Sequence, residues 1–403
     1  MGFWGFGATG GFNVGLGYAT LDQDTLGYNV AVGVYALERN TSGQHNTALG
    51  TYALQNNTSG SFNTAVGKWS CGLTTDTVSE NNTGLGYGTL YNNQGSNNTA
   101  SGTSALFYNQ SGNWNAATGA YALNQNTSGS KNSAFGYKSL EDATSASNNT
   151  AVGFYSLLNS VTSDANTVVG SYALSSLVDG PGQNTVMGYQ AGNAIESDTS
   201  AFNVIIGGYA CGIGTTMDRT TAVGYAALNA NEGIRNVALG AFSGKSNTTG
   251  NYNTFMGYGA GHSNTIGDYN CNIGYDSGYG NIDGNYNTTV GHKAGTGSTD
   301  SSQVTAVGYY ALSNGSGSSN TAVGSLAMEL ATDRAGWMTA IGAGALGKIT
   351  DGYSNTAVGF QAVGVGTTGQ HNNAFGYRSL EHNTGNHNVS AGSFALQENQ
   401  TGV

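Results

Sequence analysis

The amino-acid sequence predicts an all-β fold, a parallel β-solenoid (β-roll) of about 23 coils with about 17 residues in each. Three observations indicate this class of fold. A short pattern of the form Asn-Thr-Ala-Val-Gly recurs 23 times in the 403 residues, at intervals of 16 to 19 residues. Clusters of Asn, Thr, Ser and Gly, which are typical of turns, separate the copies. The chain has 66 Gly, and its period is too short for a helical repeat.

Each copy of the pattern ends in a glycine, here called the anchor glycine, on which the copies can be aligned. Asn stands four residues before the anchor in 20 of the 23 copies (the Asn column). Thr is commonest three before it (the Thr column), and a large apolar residue stands one before it in 20 copies (the apolar column). β-Branched residues at alternating positions favour a short strand. Leu is commonest four after the anchor (the Leu column), where we expect the core.

Asn at one position of every coil predicts a structural ladder. A single coil cannot bury its own apolar face, so coils must stack, about 4.8 Å apart, with equivalent residues over one another. Each Asn amide can then donate to the carbonyl of the next. We expect this of Asn46, Asn63, Asn82, Asn98, Asn115, Asn132, Asn149, Asn166 and Asn184. Glycosylation is the alternative, although a repeat rich in Asn and Thr produces acceptor motifs automatically.

Aromatic residues follow the anchor glycine at its first or second position in 19 of the 23 copies. Adjacent strand positions face opposite sides, so one of these two sets cannot lie in the core of its own chain. An exposed stripe of rings would exceed the apolar patch usual for a soluble monomer, which predicts that another copy or a ligand such as a sugar covers it. The candidates for surface or interchain contacts are Tyr35, Tyr52, Trp69, Tyr121, Tyr155, Tyr172 and Tyr209.

The repeat also predicts the organisation of the chain. Residues 1–12 form an N-terminal lead-in, and residues 13–403 form one continuous solenoid. Gly replaces Leu in four consecutive members of the Leu column, from Gly244 to Gly295, so that 240–295 is a Gly-rich variant region with thinner or differently packed coils.

Composition argues against several classes of function. The net charge of −11, with only 11 Lys and Arg, leaves no basic patch for nucleic acid. No apolar run reaches 18 residues, so membrane insertion is not expected. We find no catalytic constellation and no metal-ligand or cofactor motif, so we expect neither an enzyme nor a bound metal or cofactor.

The run Asn149-Thr150-Ala151-Val152-Gly153 and its copies suggest a family. They resemble the head repeats of trimeric autotransporter adhesins of the YadA type, and they are similar to the NTAVGY repeats of some phage tail-fibre proteins. The resemblance covers nearly the whole chain. It implies a left-handed β-roll, three chains side by side, and attachment to a host or surface, which would place the protein outside the cell or on a virion.

The leading functional hypothesis is a homo-oligomeric fibre module, a trimer as the resemblance implies, that forms the shaft or head of a viral tail fibre or surface adhesin. It would bind its target, for example a cell-surface glycan, through repeated weak contacts. The alternative is an extracellular filament whose subunits polymerise end to end. An ice-binding solenoid is a third hypothesis, but the single Thr in each coil is fewer than a flat ice-binding array usually presents.

Overall fold

A computed structural model of the protein describes residues 11–72, 79–196, 201–297, 299–315, 317–332, 336–365 and 368–399. These residues contain 23 strands of three residues each and no helix. Those up to Asn203 form one compact unit and those from Val204 a second. The first unit contains β1 Val14–Leu16, β2 Val30–Val32, β3 Thr47–Leu49, β4 Thr64–Val66, β5 Thr83–Leu85, β6 Thr99–Ser101, β7 Ala116–Thr118, β8 Ser133–Phe135, β9 Thr150–Val152, β10 Thr167–Val169 and β11 Thr185–Met187. The second contains β12 Val204–Ile206, β13 Thr221–Val223, β14 Val237–Leu239, β15 Thr254–Met256, β16 Cys271–Ile273, β17 Thr288–Val290, β18 Thr305–Val307, β19 Thr321–Val323, β20 Thr339–Ile341, β21 Thr356–Val358, β22 Asn373–Phe375 and β23 Val389–Ala391.

Consecutive strands within each unit run parallel and pair without a slip in register. In the β9–β10 pair, Val152 lies beside Val169, and the other two residues of each strand also lie beside their equivalents. One coil of chain separates one strand from the next, so each unit is a stack of coils. The predicted fold class, a parallel β-solenoid, is confirmed. The predicted boundaries, a lead-in over 1–12 and a continuous solenoid over 13–403, stay predictions. Residues 1–10 and 400–403 lie outside the described residues.

The middle residue of each strand faces the core, and its two neighbours face outward. In β9 the buried residue is Ala151, whereas Thr150 is half-buried and Val152 is exposed. The middle residue is buried in every strand from β2 to β23, and it is most often Ala (the Ala column). The β-branched residues from which the strands were predicted are therefore the outward-facing ones. Ala fits the core because the Leu column, represented here by Leu157, fills the space from the opposite side of the coil.

The anchor glycine is required by the close approach of neighbouring coils. Gly153 has a φ of +138°, and a Cβ built there would lie 2.5 Å from the carbonyl oxygen of Gly170 in the next coil. No side chain fits in that space, and L-residues rarely adopt this backbone conformation. The glycine therefore sets how closely the coils can stack at this corner.

The corners of each coil hold large side chains in the left-handed backbone region. Tyr155 and Leu157 have φ values of +55° and +49°, a conformation that costs on the order of 1–2 kcal/mol per residue. Hydrogen bonds between coils stabilise it. The N–H of Tyr155 donates to the carbonyl of Tyr137 (3.1 Å), and that of Leu157 donates to Ala173 (3.0 Å). The coil-to-coil bonding thus continues beyond the strands into the corners.

The Gly-rich region is repacked, not simply thinner. Gly244 and Gly261, at Leu-column positions, lie against the fully buried ring of Phe255, which occupies an Ala-column position between them. A Cβ at Gly244 would lie only 2.5 Å from that ring. The same exchange occurs in the following coils, where Asn272 lies against Gly278 and Thr289 against Gly295. A large residue in one column therefore fills the space that the other column leaves.

This exchange predicts a compensating pair of substitutions. Phe255→Ala should lower the free energy of unfolding by about 3–5 kcal/mol because it leaves a cavity. Adding Gly261→Leu should recover part of that loss. The double variant has Ala in the Ala column and Leu in the Leu column, as another coil has with Ala222 and Leu228. Leu228 adopts a similar left-handed φ, +48° against +59° at Gly261. Denaturant titration measures all three variants.

Gly261→Leu alone is the control, and it should be destabilising because the new side chain would collide with Phe255. A double variant no more stable than Phe255→Ala would show that the two columns do not share one space.

Candidate functional site

The nine Asn residues of the predicted ladder are all in the interior of the first unit. None is more than 2% exposed. The side-chain oxygen of each accepts a hydrogen bond from the backbone N–H of the Asn in the next coil, at 2.8 to 3.1 Å. The amide of Asn46 donates to the carbonyl of Gly60 at 2.8 Å. These side chains therefore satisfy backbone groups at a buried corner, which strands alone leave unpaired.

This bonding differs from the amide-to-amide ladder expected from the sequence. Direct bonds between Asn side chains of this column occur at a few positions only, such as Asn166 to Asn149 (3.1 Å). The reason is geometric: the corner exposes a backbone N–H on one side and a turn carbonyl on the other, and these lie nearer to the amide than the neighbouring side chain does.

A second Asn column, seven residues after the anchor glycine, forms the amide-to-amide ladder. Asn57 donates to the side-chain oxygen of Asn40 at 3.0 Å and to the carbonyl of Gly60 at 2.9 Å. Asn126 makes the same bonds to Asn109 and Gly129. The sequence indicates turns at these residues because Ser and Gly follow them. Their regular spacing was the signal that could have revealed the ladder.

The seven predicted aromatic residues lie on the surface, and so do the rings that immediately follow the anchor glycine. Each of the seven contacts a ring of an adjacent coil, with centroids 5.4 to 6.2 Å apart. Rings from both positions share these contacts, as where Trp69 meets Tyr87. The expectation that the two positions face opposite sides was wrong, because the strand ends at the anchor glycine and the chain turns there.

Lysine replaces an aromatic residue in this ladder without interrupting it. The Lys138 ammonium lies 5.8 Å from the ring centroid of Tyr121 and 6.0 Å from that of Tyr155, within cation–π range. It also forms an ion pair with Glu141 at 3.1 Å. Their hydrogen bond is the main cause that raises the pKa of Lys138.

A second column of rings, five residues before the anchor glycine, was missed by the sequence analysis. His45 stacks on Phe62 with centroids 5.1 Å apart, and Tyr269 stacks on Tyr252 at 4.9 Å and on Tyr286 at 5.2 Å. In the sequence of each coil, the outward Thr and apolar columns stand between these rings and the rings that follow the anchor. We call the Thr and apolar columns with both sets of rings the outer face.

The outer face presents apolar side chains and aromatic rings to the solvent. The residues of its apolar column are exposed or half-buried, and the exposed fraction is, for example, 47% at Leu49 and 42% at Phe135. Cys271, in the Thr column, is the cysteine on this face; it is half-buried, and burial raises its pKa. Cys71 and Cys211 lie in the buried Leu column, where burial raises the pKa of Cys71 to about 12 and also raises that of Cys211. Among the described residues, no three His, Cys, Asp or Glu side chains are grouped as metal ligands would be. No helix in that part of the chain is long and apolar enough to cross a membrane.

The second Asn column predicts a stabilising substitution where the ladder stops. Ala143 follows Asn126 in that column, and the buried side-chain oxygen of Asn126 has no hydrogen-bond donor. The hydroxyl of Ser160, in the next coil, also lacks a partner. Ala143→Asn should satisfy both and raise the free energy of unfolding by about 0.5–1.5 kcal/mol, measured by denaturant titration.

Ala143→Leu provides the control for size, since Leu177 occupies the same column and is fully buried. It should not match the gain. Equal stability of the two variants would mean that the unpaired oxygen has no energetic consequence.

No protein-family model matches this chain, and neither does any curated protein.

Proposed function

We propose that the protein is a structural and adhesive module of a fibre, the shaft or head of a viral tail fibre or of a surface adhesin. It would act outside the cell or on a virion, as a homo-oligomer. The resemblance of the repeat to YadA-type heads and to phage tail-fibre repeats supports this function and favours a trimer. The left-handed coil implied by that resemblance belongs to the same proposal.

The observation that carries the proposal is the regular exposure of apolar residues on the outer face. Soluble monomers rarely expose a contiguous apolar patch of more than a few hundred Å². Here a large apolar side chain is exposed or half-buried in nearly every coil. An aromatic ring follows the anchor glycine in 19 of the 23 coils, and a ring stands five residues before it in 12. A second copy of the same chain fits such a surface well, because its columns have the same spacing.

Rings left outside the contact between copies would provide the adhesive surface. Tyr and Trp present an apolar face together with a polar atom, which suits them to stacking on sugars. A single exposed ring binds weakly, but rings that repeat in most coils can together engage a polyvalent target such as a cell-surface glycan. Binding strength then grows through multivalency and not through one tight site.

The Thr column keeps ice binding as a second candidate, because its hydroxyl-bearing residues do lie on the outward side of the strands. In the coils that have this Thr, the residue paired with it is a bulky apolar one and not a second hydroxyl, except in β6, where Ser101 accompanies Thr99. We therefore expect no thermal hysteresis in a nanolitre osmometer at millimolar protein concentration. Clear hysteresis would favour ice binding over the fibre.

The oligomer itself can be tested with charges on the outer face. Because the proposal requires an oligomer, wild-type protein should have a native mass of two or more times the 41.0 kDa of one chain. Replacing Leu49, Leu85 and Phe135 together with Lys should reduce the mass to that of one chain while the circular dichroism spectrum is retained. The three side chains are already exposed, so the charges hinder association more than folding. Static light scattering measures the mass.

The matched control places three Lys residues at exposed turn positions, Ser111, Ser128 and Ser145, and should leave the mass unchanged. A monomeric wild type would contradict the proposal. Filaments of indefinite length in electron micrographs would favour the end-to-end polymer instead.

A further inference from the structure

A cleft of about 370 Å³ interrupts the ring ladder of the second unit, within the Gly-rich region. Three successive coils contribute Phe242, Gly259 and Asp276 at the second position after the anchor glycine. Gly259 has no side chain, so a gap opens between the aromatic ring before it and the carboxylate after it. The cleft is at the small end of the usual range for ligand pockets, about 300–1,000 Å³.

Aromatic rings form the walls of this cleft. Tyr258, which is 49% exposed, stands edge-on to Phe242 with centroids 5.7 Å apart. On another side, His262 stacks on Tyr279 at 4.6 Å with their planes 9° apart. Stacking on neighbouring coils restricts the orientation of these rings, so they form a largely preorganised apolar surface.

Polar groups without partners lie among the rings. The Asp276 carboxylate covers Gly259 so closely that a Cβ there would be 2.5 Å from its Oδ1. The Lys245 ammonium lies 5.3 Å from the ring centroid of Phe242. Neither charged group has an ion-pair or hydrogen-bond partner among the described residues.

The imidazole of His262 completes the polar set. Its Nδ1 is buried without a partner. Burial, and then the nearby Lys245, lower the pKa of His262, although Asp276 opposes them, so the ring is neutral at pH 7. The cleft therefore combines one anion, one cation and a neutral imidazole with apolar walls.

We propose that this cleft binds one neutral hexopyranose ring. A sugar of this kind has an apolar C–H face that can pack against the part of Tyr258 that Phe242 and Tyr275 leave exposed, and it has hydroxyl groups at its edge. A carboxylate such as that of Asp276 accepts two neighbouring hydroxyls in charge-assisted hydrogen bonds, and an ammonium such as that of Lys245 donates one. A charged sugar fits less well. Whether it is an anion or a cation, one of the two charged groups in the cleft, Asp276 or Lys245, would repel it.

This inference deepens the adhesive function proposed above, and it relies on that function only for the source of the sugar, a glycan on the target surface. The cleft adds selectivity. Rings elsewhere on the outer face also offer stacking, whereas the cleft adds a carboxylate and an ammonium that have no ion-pair partner in the described part of the chain and can bond to hydroxyl groups.

Titration of the full-length protein with methyl hexopyranosides, followed by saturation-transfer difference NMR, tests the proposal. We expect saturable binding of at least one glycoside, with a Kd on the order of 1 mM. Asp276→Asn and Tyr258→Ala should each weaken it at least tenfold. Gly259→Ala should abolish it, because the new methyl displaces the carboxylate. The backbone should tolerate that change, since Ala226 occupies the same column position with a φ of +51°.

Gly344→Ala is the matched control and should leave binding unchanged. Gly344 has the same column position and a φ of +66°, but a Cβ there would meet only the flexible side chain of Gln361. Two results would overturn the proposal: no saturable signal with any neutral glycoside, or binding unaffected by both Asp276→Asn and Gly259→Ala. Stronger binding of glucuronic acid or glycine than of every neutral glycoside would also overturn it.

The native mass of the same samples keeps the two proposals distinguishable. A monomer that binds the glycoside would contradict the fibre alone. An oligomer that binds none would contradict the cleft alone.

Discussion

The approach of one coil to the next at the anchor glycine is the constraint on which each unit depends. At Gly153 the neighbouring carbonyl occupies the space that any Cβ would need. This approach lets backbone bonds run from coil to coil on both sides of the corner. Once coils stack in this way, residues one period apart must lie over one another. Each column then becomes a row of equivalent contacts between successive coils, whether the residues are Ala, Asn or aromatic.

Stacking also explains why so polar a sequence can fold. The core is narrow, and Ala and Leu fill it, while two columns of Asn border it at the corners. Buried amides are costly unless their hydrogen bonds are satisfied. Here most of these amides find a backbone partner or another amide at a position that the repeat determines; the side-chain oxygen of Asn126, where the ladder stops, is an exception. The corners thus replace part of the hydrophobic core by a regular polar network.

The period of the sequence was enough to predict the fold and the register, because stacking converts a repeat directly into neighbours. The detail at the corners was not predictable by the same logic. The outward direction of both ring positions follows from the turn at the anchor glycine, where the alternation of a strand no longer applies. The regular spacing of Asn57 and its equivalents places them over one another, but the bond from Asn57 to the carbonyl of Gly60 depends on the distance across a corner, which the sequence does not give. Phe255 packs against two glycines because their columns face each other, and one aligned column cannot show that.

The most specific chemistry of the chain lies where the repeat departs from itself. A uniform column gives many equal contacts, which favours strong multivalent attachment but little discrimination between ligands. Discrimination needs different groups held together at one point. Around Gly259 three coils bring a carboxylate, an ammonium and an imidazole among aromatic rings, because each coil departs from the consensus in a different way. Averaging the copies removes these differences, which is why the cleft is visible only once the coils are stacked. In a repeat of this kind, the consensus describes the scaffold, and the exceptions are where selectivity can arise.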